Sequence, residues 1–338
     1  MTEILGTGEV LVAGGAGYIG STIVSACLDA GITPVILDNL TTGRIEFTHG
    51  RLFFEGDINN KELINYIFRT HPRIHTAIHC AALISVPDSV HEPIQYYTNN
   101  VSKSIDFISS LVSNGCRRLI FSSSASVYAE SNDQLLDEMS PIKPSSPYGR
   151  SKVMCEEIFK DISKSGALNV LSLRYFNPLG ADPLMRTGLQ ILHPSSVLGR
   201  LIEARETGTP FQITGTDFST RDGTGIRDYI HVWDVALAHV VAMRRFEEIF
   251  SNDNSYEVIN LGTGRGTTVL ELIQAFNSVV GSDIPYIEAP RRPGDIAGGY
   301  VDGDKAQQLL GWSPTLSLSD AINDSLKWVN IRQIRFGY

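Results

Sequence analysis

The chain has 338 residues, enough for one large or two modest domains, and its 42% hydrophobic and 19% charged content is that of an ordinary globular protein. Its formal net charge of -9 excludes general nucleic-acid binding, so an anionic ligand would need local arginines rather than a global field. No apolar run approaches the roughly 20 residues of a membrane span, and the start from Met1 to Gly6 has neither the basic nor the apolar segment of a signal peptide. The cysteines Cys27, Cys80, Cys116 and Cys155 are scattered without Cys-x-x-Cys spacing and read as free thiols in a reducing cytoplasm. The histidines show no paired-ligand spacing, so no metal site is expected.

In chain order, the first half alternates short apolar runs with helix-length segments. Strands are expected at Val10–Ala13, Pro34–Leu37, Leu52–Glu55, Thr76–His79, Arg118–Ser122 and Val170–Arg174, all rich in Val, Ile and Leu, as strands buried on both faces are. Helices are expected near Ile19–Ala30, Lys61–Thr70, Pro93–Asn114 and Tyr148–Ser163. Strict alternation argues for a parallel, doubly wound α/β sheet. The alternation breaks after Tyr175, in a loop containing Asn177-Pro178-Leu179-Gly180. Turn-rich, mixed segments follow, with one further strand at Tyr256–Leu261 and a helix at Leu270–Val280. The expected division is a dinucleotide-binding domain over residues 1–176, to which about 228–262 return. The smaller mixed α/β substrate domain mainly spans 177–338.

Val10 to Ala13 leads directly into Gly14-x-x-Gly17-x-x-Gly20. In such a loop the first glycine allows a tight turn, the second lets backbone approach a pyrophosphate, and the third lets helix pack close to strand. The helix start offers free N–H groups and a positive dipole end to phosphates. The next strand ends in Asp38, roughly 20 residues on, where a carboxylate can accept from an adenosine ribose and repels a 2′-phosphate. The expected cofactor is therefore NAD.

Downstream lie Ser124, Tyr148 and Lys152. A free tyrosine, with a pKa of about 10, is a poor base. Residues four apart share a helix face, so Lys152 can lie beside Tyr148 and its ammonium can lower that pKa. An oxidised nicotinamide would push the same way. Ser124, at the end of a central strand, can hydrogen-bond a reacting hydroxyl. The set suits transfer of a proton and a hydride at a secondary alcohol.

These residues resemble the extended short-chain dehydrogenase/reductase family. Within it the nucleotide-sugar epimerases are matched by Gly14 to Ser21, Asp38 to Leu40, Phe121 to Tyr128, Arg174 to Ala181, Asp222 to Val232 and Arg291 to Asp295. The resemblance covers nearly the whole chain and implies a Rossmann-type fold. It implies an NAD-dependent 4-epimerase of UDP-hexoses that interconverts UDP-galactose and UDP-glucose through a 4-keto sugar, with UDP-N-acetylhexosamines as further candidates. It places Gly14, Gly17, Tyr18, Ile19, Gly20, Asp38, Asn39, Asp57, Ile58, Cys80, Ala81, Ala82, Asn99, Ser122, Tyr148, Lys152, Tyr175 and Phe176 around the cofactor. Toward the UDP-sugar it places Ser124, Tyr148, Asn177, Gln212, Thr214, Arg227, Arg292, Asp295 and Gly299. It also implies a homodimer through the helices Pro93–Asn114 and Tyr148–Ser163.

The chain departs from that pattern in three places. Ile84 stands where many bacterial relatives carry a lysine near the cofactor phosphates, which implies weaker retention of NAD. The segment Leu189–Glu206 lacks the family's asparagine pair and reads Gln190-Ile191-Leu192-His193-Pro194-Ser195-Ser196. Gly299 stands where a tyrosine restricts the sugar pocket to glucose and galactose, which implies room for an N-acetyl group; a shift of one residue would put Tyr300 there instead. A 4,6-dehydratase needs an acidic pair after the serine, and Ala125-Ser126 provides none. A 4-epimerase of UDP-pentoses or UDP-uronic acids and a non-catalytic NAD(P) sensor are the remaining alternatives.

Overall fold

The computed structural model describes residues 8–131, 133–192, 194–250, 254–291 and 296–337. At its centre is a seven-stranded sheet made of β1 (Glu9–Ala13), β2 (Thr33–Asp38), β3 (Leu52–Glu55), β4 (Ile74–His79), β5 (Arg118–Ser124), β6 (Asn169–Tyr175) and β7 (Tyr256–Leu261). The spatial order is β3-β2-β1-β4-β5-β6-β7, with every neighbouring pair parallel.

Alternate residues of each strand feed two cores, which is why the strands read as unbroken apolar runs. Val10 and Val12 of β1 pack with Ile23 and Val24 of α1 (Tyr18–Asp29). Leu11 and Ala13 face the opposite side. There they meet Ile64 and Ile67 of α2 (Lys61–Thr70), Phe107 and Leu111 of α3 (Lys103–Ser113) and Phe159 of α4 (Pro147–Lys164). The helix α5 (Val232–Arg244) lies beside α1 and closes the first core with Val235, Ala236 and Val240. Because β2 and β4 flank β1 on opposite sides, the loops after β1 and β4 diverge. A crevice opens at the carboxyl ends of these strands.

The single helix expected over 93–114 is interrupted. It runs as Pro93–Tyr97, a π-helical turn at Thr98–Ser102, and then α3. The turn places Asn100 inside the protein. Its Oδ1 accepts from Leu83 N at 2.9 Å, and its Nδ2 donates to Leu83 O at 2.9 Å and to Ser151 Oγ at 3.1 Å. One side chain thereby ties the loop after β4 to α4, a use typical of π-bulges near functional sites.

The second region is built from shorter pieces. The strand Ile226–His231 pairs with Asn177–Leu179, Gly266–Thr268 and Gly298–Val301, and the last of these pairs with Leu135–Leu136. Phe211–Thr214 pairs with Tyr286–Ala289. Helices Val197–Thr207, Val269–Val280 and Leu318–Phe336 cover these strands around a third core containing Leu201, Ile213, Phe276 and Ile322.

Candidate active site

The glycine loop crosses the crevice, and each glycine has its own reason. Gly14 has φ +81°, and a Cβ there would lie 2.6 Å from Ala81 N, so only glycine lets the turn pass the end of β4. A Cβ on Gly20 would sit 2.1 Å from Gly14 O, so that glycine is what lets α1 dock. Gly17 differs: a Cβ would meet nothing nearer than Gly14 O at 3.4 Å. The protein itself does not demand glycine there, and what remains is an open cradle at the N-terminus of α1, where no side chain caps the helix. That combination fits a pyrophosphate, and with it NAD. The Tyr18 hydroxyl donates to Gly180 O at 2.7 Å, while Ile19 packs against the first core.

Asp38 knits the cradle to the next loop. Its Oδ2 accepts from Ala16 N at 2.9 Å and its Oδ1 from Leu40 N at 2.8 Å; burial raises its pKa against the pull of these bonds. Asn39 Nδ2 donates to Asp57 Oδ2 at 2.9 Å, and Lys103 Nζ donates to the same oxygen at 2.6 Å. Burial pushes the Asp57 carboxyl up, but these partners outweigh it and hold it below the usual range. The Ile58 side chain belongs to the second core, so its backbone is what it presents at the surface. Cys80 Sγ lies 3.0 Å from Ser122 Oγ, and Ala81 and Ala82 follow it half-buried along the floor. Asn99 Nδ2 donates to Asn100 Oδ1 at 3.2 Å. Ile84, on the rim, is 61% exposed.

Ser124, Tyr148 and Lys152 converge beside this floor. Ser146 caps α4 by accepting from Gly149 N at 3.1 Å, and Pro147 opens the helix, so Tyr148 sits in the first turn. A Cβ on Gly149 would lie 2.5 Å from Ser126 O; its absence brings the helix start against the Ser124–Ser126 turn. Ser124 interacts with the Tyr148 hydroxyl and accepts from Ser126 Oγ at 2.9 Å. Lys152 is buried, donates to Ser122 O at 2.8 Å, and lies 5.9 Å from the centre of the Tyr148 ring.

The electrostatics correct one expectation. Lys152 does not by itself bring the Tyr148 phenol below its ordinary pKa: burial raises it, with Ser124 pulling the other way. Burial also lowers the pKa of Lys152. A buried phenol needs further positive charge before it becomes a base near neutral pH. Tyr175, in register with Ser124, interacts with Ser122, and burial keeps its hydroxyl protonated well above the ordinary range. The Phe176 ring packs among Val127, Tyr128, Leu136 and Val301.

A ladder of backbone pairs leads from this set to the second region. Ser124 pairs with Tyr175, Asn177 with Tyr229, and Arg227 with Gly299. Gln212, Thr214, Phe218, Arg227, Tyr229 and Ile296 line a cavity of about 470 Å³. Arg227 Nη1 donates to Ile226 O at 2.7 Å and Ala297 O at 2.9 Å. Among the described residues the buried Tyr229 hydroxyl has no partner. Phe218 carries Arg291 over its ring at 3.9 Å. Neither Tyr229 nor Phe218 was picked out from sequence, although both are aromatic residues set in polar, turn-rich motifs. Arg292 and Asp295, expected at the diphosphate and ribose, lie outside the described residues, as does His193.

Gly299 faces away from open space. A Cβ there would lie 2.8 Å from Gln134 O and 2.9 Å from Leu136 Cδ1. Tyr300 takes the opposite face of the strand, where its ring fills the place a Gly266 side chain would need. Tyr300 therefore does not stand in for the missing ring at 299.

Residues 10–262 match the profile of the NAD dependent epimerase/dehydratase family. The chain is 40% identical over 334 residues to the UDP-glucose 4-epimerase of Neisseria meningitidis serogroup C, covering 95% of this chain and 97% of the relative. The crystal structure of UDP-glucose-4-epimerase from Stenotrophomonas maltophila with bound NAD and formylated UDP-arabinopyranose has a TM-score of 0.90 at 36% identity, over 96% of this chain and 99% of that one. The UDP-Glc/GlcNAc 4-epimerase from Campylobacter jejuni has a TM-score of 0.80 at 33% identity, over 96% and 99% of the two chains.

Proposed function

Because the chain belongs to the NAD dependent epimerase/dehydratase family, we propose that it interconverts UDP-galactose and UDP-glucose through a 4-keto sugar. It is an isomerase, and its cofactor is NAD. The observation that carries the reading is the backbone ladder joining Ser124 and Tyr175 to the Arg227 cavity. It sets Ser124, the partner of the proton-handling Tyr148, and a nucleotide-sized cavity on one continuous frame.

Bound NAD supplies the hydride acceptor, and then the donor, at sugar C4. Gly14, Gly17 and the start of α1 would hold its pyrophosphate, and Asp38 and Asn39 would bind its adenosine ribose. Tyr148 takes the proton of the 4-hydroxyl, Ser124 orients that hydroxyl, and the Lys152 ammonium favours the phenolate. Burial raises the Tyr148 pKa, so the phenolate needs positive charge beyond Lys152, which an oxidised nicotinamide would supply when bound. Arg227, with Arg292, grips the diphosphate through charge-assisted hydrogen bonds, Asn177 and Asp295 add polar contacts, and Gln212 and Thr214 meet the uracil. The nucleotide is anchored while the sugar is free to turn, and Tyr148 then returns the proton. On this reading residues 1–176, with about 228–262, serve the cofactor, and 177–338 mainly serve the nucleotide sugar.

UDP-N-acetylhexosamines are included as substrates because neither Gly299 nor Tyr300 sets a ring at the restricting position. A homodimer is supported by exposed Ile94, Ile105 and Met154 on the two helices expected to pair. Cytoplasmic residence is supported by four free thiols. No helix among the described residues is long and apolar enough to cross a membrane.

The test is turnover of UDP-galactose by purified protein without added NAD, with products separated by chromatography. UDP-glucose is the expected product. Product only on addition of NAD would keep the chemistry and locate the weakness in retention near Ile84; no product in either case would end the reading. Tyr148→Phe is expected to cut turnover by roughly 10²–10⁴-fold while retaining NAD.

A further inference from the structure

Behind the proton-handling residues lies a buried ion pair that the mechanism above does not use. Glu156 is one helical turn beyond Lys152 on α4 and shares its face. Its Oε1 accepts from Ser123 Oγ at 2.5 Å and from Arg174 Nε at 2.9 Å, and its Oε2 accepts from Arg174 Nη2 at 2.5 Å. Ser123 stands between Ser122, whose carbonyl receives the Lys152 ammonium, and Ser124; it pairs in register with Arg174, the neighbour of Tyr175. Arg174 Nη1 donates to Tyr128 Oη at 2.9 Å, and Tyr128 donates to Asn260 Oδ1 on β7 at 2.7 Å. One carboxylate thus gathers α4, β5, β6 and, through Tyr128, β7 at the point where the chemistry is held.

Stability is a weak reason for such a pair, since well-packed apolar residues can replace a buried ion pair at little or no cost. Position and charge are better reasons. The groups facing Lys152 are Tyr148, Cys155 and Glu156 from its own helix, His79 from the end of β4 and Cys80 just after it. Burial pushes the Cys80 and Cys155 thiols up to about 11 and His79 down to about 3, so all three are neutral near pH 7. Glu156 is the carboxylate of the group, and it favours the ammonium form of Lys152 against burial.

We propose that Glu156 and Arg174 are a positioning pair for this site, fixing α4 on β5 and keeping a carboxylate behind the Lys152 ammonium. The inference rests on the reading of Tyr148 and Lys152 as the proton-handling residues. In Glu156→Gln the carboxylate is lost and the Arg174 guanidinium is left unpaired nearby. Both changes favour the neutral amine.

The experiment follows the Lys152 titration by NMR in NAD-loaded protein carrying ¹³Cε-lysine, with Lys152→Arg to assign the signal. Turnover of UDP-galactose is measured across pH in parallel. In Glu156→Gln the Lys152 titration is expected to fall by about one unit or more. The basic limb of kcat should fall with it, and kcat should drop roughly 100-fold with KM nearly constant. Glu156→Asp should recover the basic limb more fully than the rate. Should Glu156→Gln fail to fold, Glu156→Gln/Arg174→Met removes both charges and takes its place, with a smaller downward shift expected. A Lys152 titration equal to that of wild type in the variant that folds, or a loss confined to KM, overturns the proposal. A wild-type protein inactive on UDP-galactose would sink the functional reading, while the lysine titration would still decide the pair.

Discussion

The crevice under the glycine loop and the cavity around Arg227 are built to different tolerances. In the crevice nearly every group is committed: Asp38 binds two backbone N–H groups, Asn100 clamps both sides of Leu83, and Gly14 and Gly20 leave no room for a methyl group. Around the cavity the strands are short, Gln212 is exposed, and the Tyr229 hydroxyl has no partner among the described residues. A cofactor that stays through many turnovers benefits from a cradle fixed before it arrives. A sugar that must present both faces to that cofactor benefits from the reverse, provided the nucleotide is gripped elsewhere.

The sharpest way to break this contrast lies within the glycine loop itself. Gly20→Ala drives a Cβ into the Gly14 carbonyl, where both atoms belong to fixed backbone. We expect a loss of more than about 3 kcal/mol, or no folded protein, by thermal and urea melts. Gly17→Ala meets only an ordinary contact, so the fold should stay within about 1 kcal/mol of wild type while NAD retention drops steeply. Retention of NAD by folded Gly17→Ala would mean that the cradle is not where the pyrophosphate sits.

On the cavity side, Arg227→Lys keeps the charge and removes the fork. A hydrogen bond to a charged group is worth about 1.5–3 kcal/mol, so KM for UDP-galactose should rise roughly 10–100-fold with little change in kcat, as for binding shared by ground and transition states. A fall in kcat at constant KM would place Arg227 in the chemistry rather than in the grip.

The same contrast governs what could be read from sequence. The strands β1 to β7 were legible to within two residues, the inner ones because burial on both faces leaves short apolar runs, and the edge strand β3 because Leu52, Phe53 and Phe54 still form one although its ends are exposed. Leu135–Leu136, Asn177–Leu179 and Gly298–Val301 were not, because pieces of two to four residues have no period to detect, and their pairing depends on partners far along the chain. Ser124, Tyr148 and Lys152 announce themselves by chemistry and spacing. Asn100 was hidden by its π-helical turn, the only hint being two asparagines inside an otherwise helical run. Glu156 looked like an ordinary helix charge, and only the register of Ser123 with Arg174 makes it part of the site.

Acid probes the fold through two buried histidines, His79 at the end of β4 and His239 on α5. Burial lowers His79 to about 3 and His239 to about 4, from an ordinary value near 6.5. The unfolded chain therefore binds protons first. This stability is intact above pH 6.5 and is lost as pH falls toward the folded-state values, at about 2 kcal/mol for each histidine by pH 5. Urea midpoints at pH 7.5 and 5 check this, and His79→Phe should make the difference between them smaller by about one histidine's share. An unchanged difference would mean that His79 is not the neutral buried group described here.

The smallest expected effect bears on how loose the sugar site is. At Gly299 a side chain would press on Gln134 O, which already accepts from Tyr300 N at 2.8 Å, and on the movable end of Leu136. A tyrosine must therefore push the Leu135–Leu136 strand aside or turn toward the sugar. A ring turned toward the sugar would narrow the space at the 2-position, whereas a displaced strand would not. Steric discrimination of this kind is worth about 1–3 kcal/mol, so Gly299→Tyr should lower turnover of UDP-N-acetylglucosamine at least tenfold relative to UDP-galactose, and Gly299→Ala much less. Wild-type protein that ignores UDP-N-acetylglucosamine, or a ratio that Gly299→Tyr leaves in place, would move control of sugar width from Gly299 to the Gln134–Leu136 segment that packs against it.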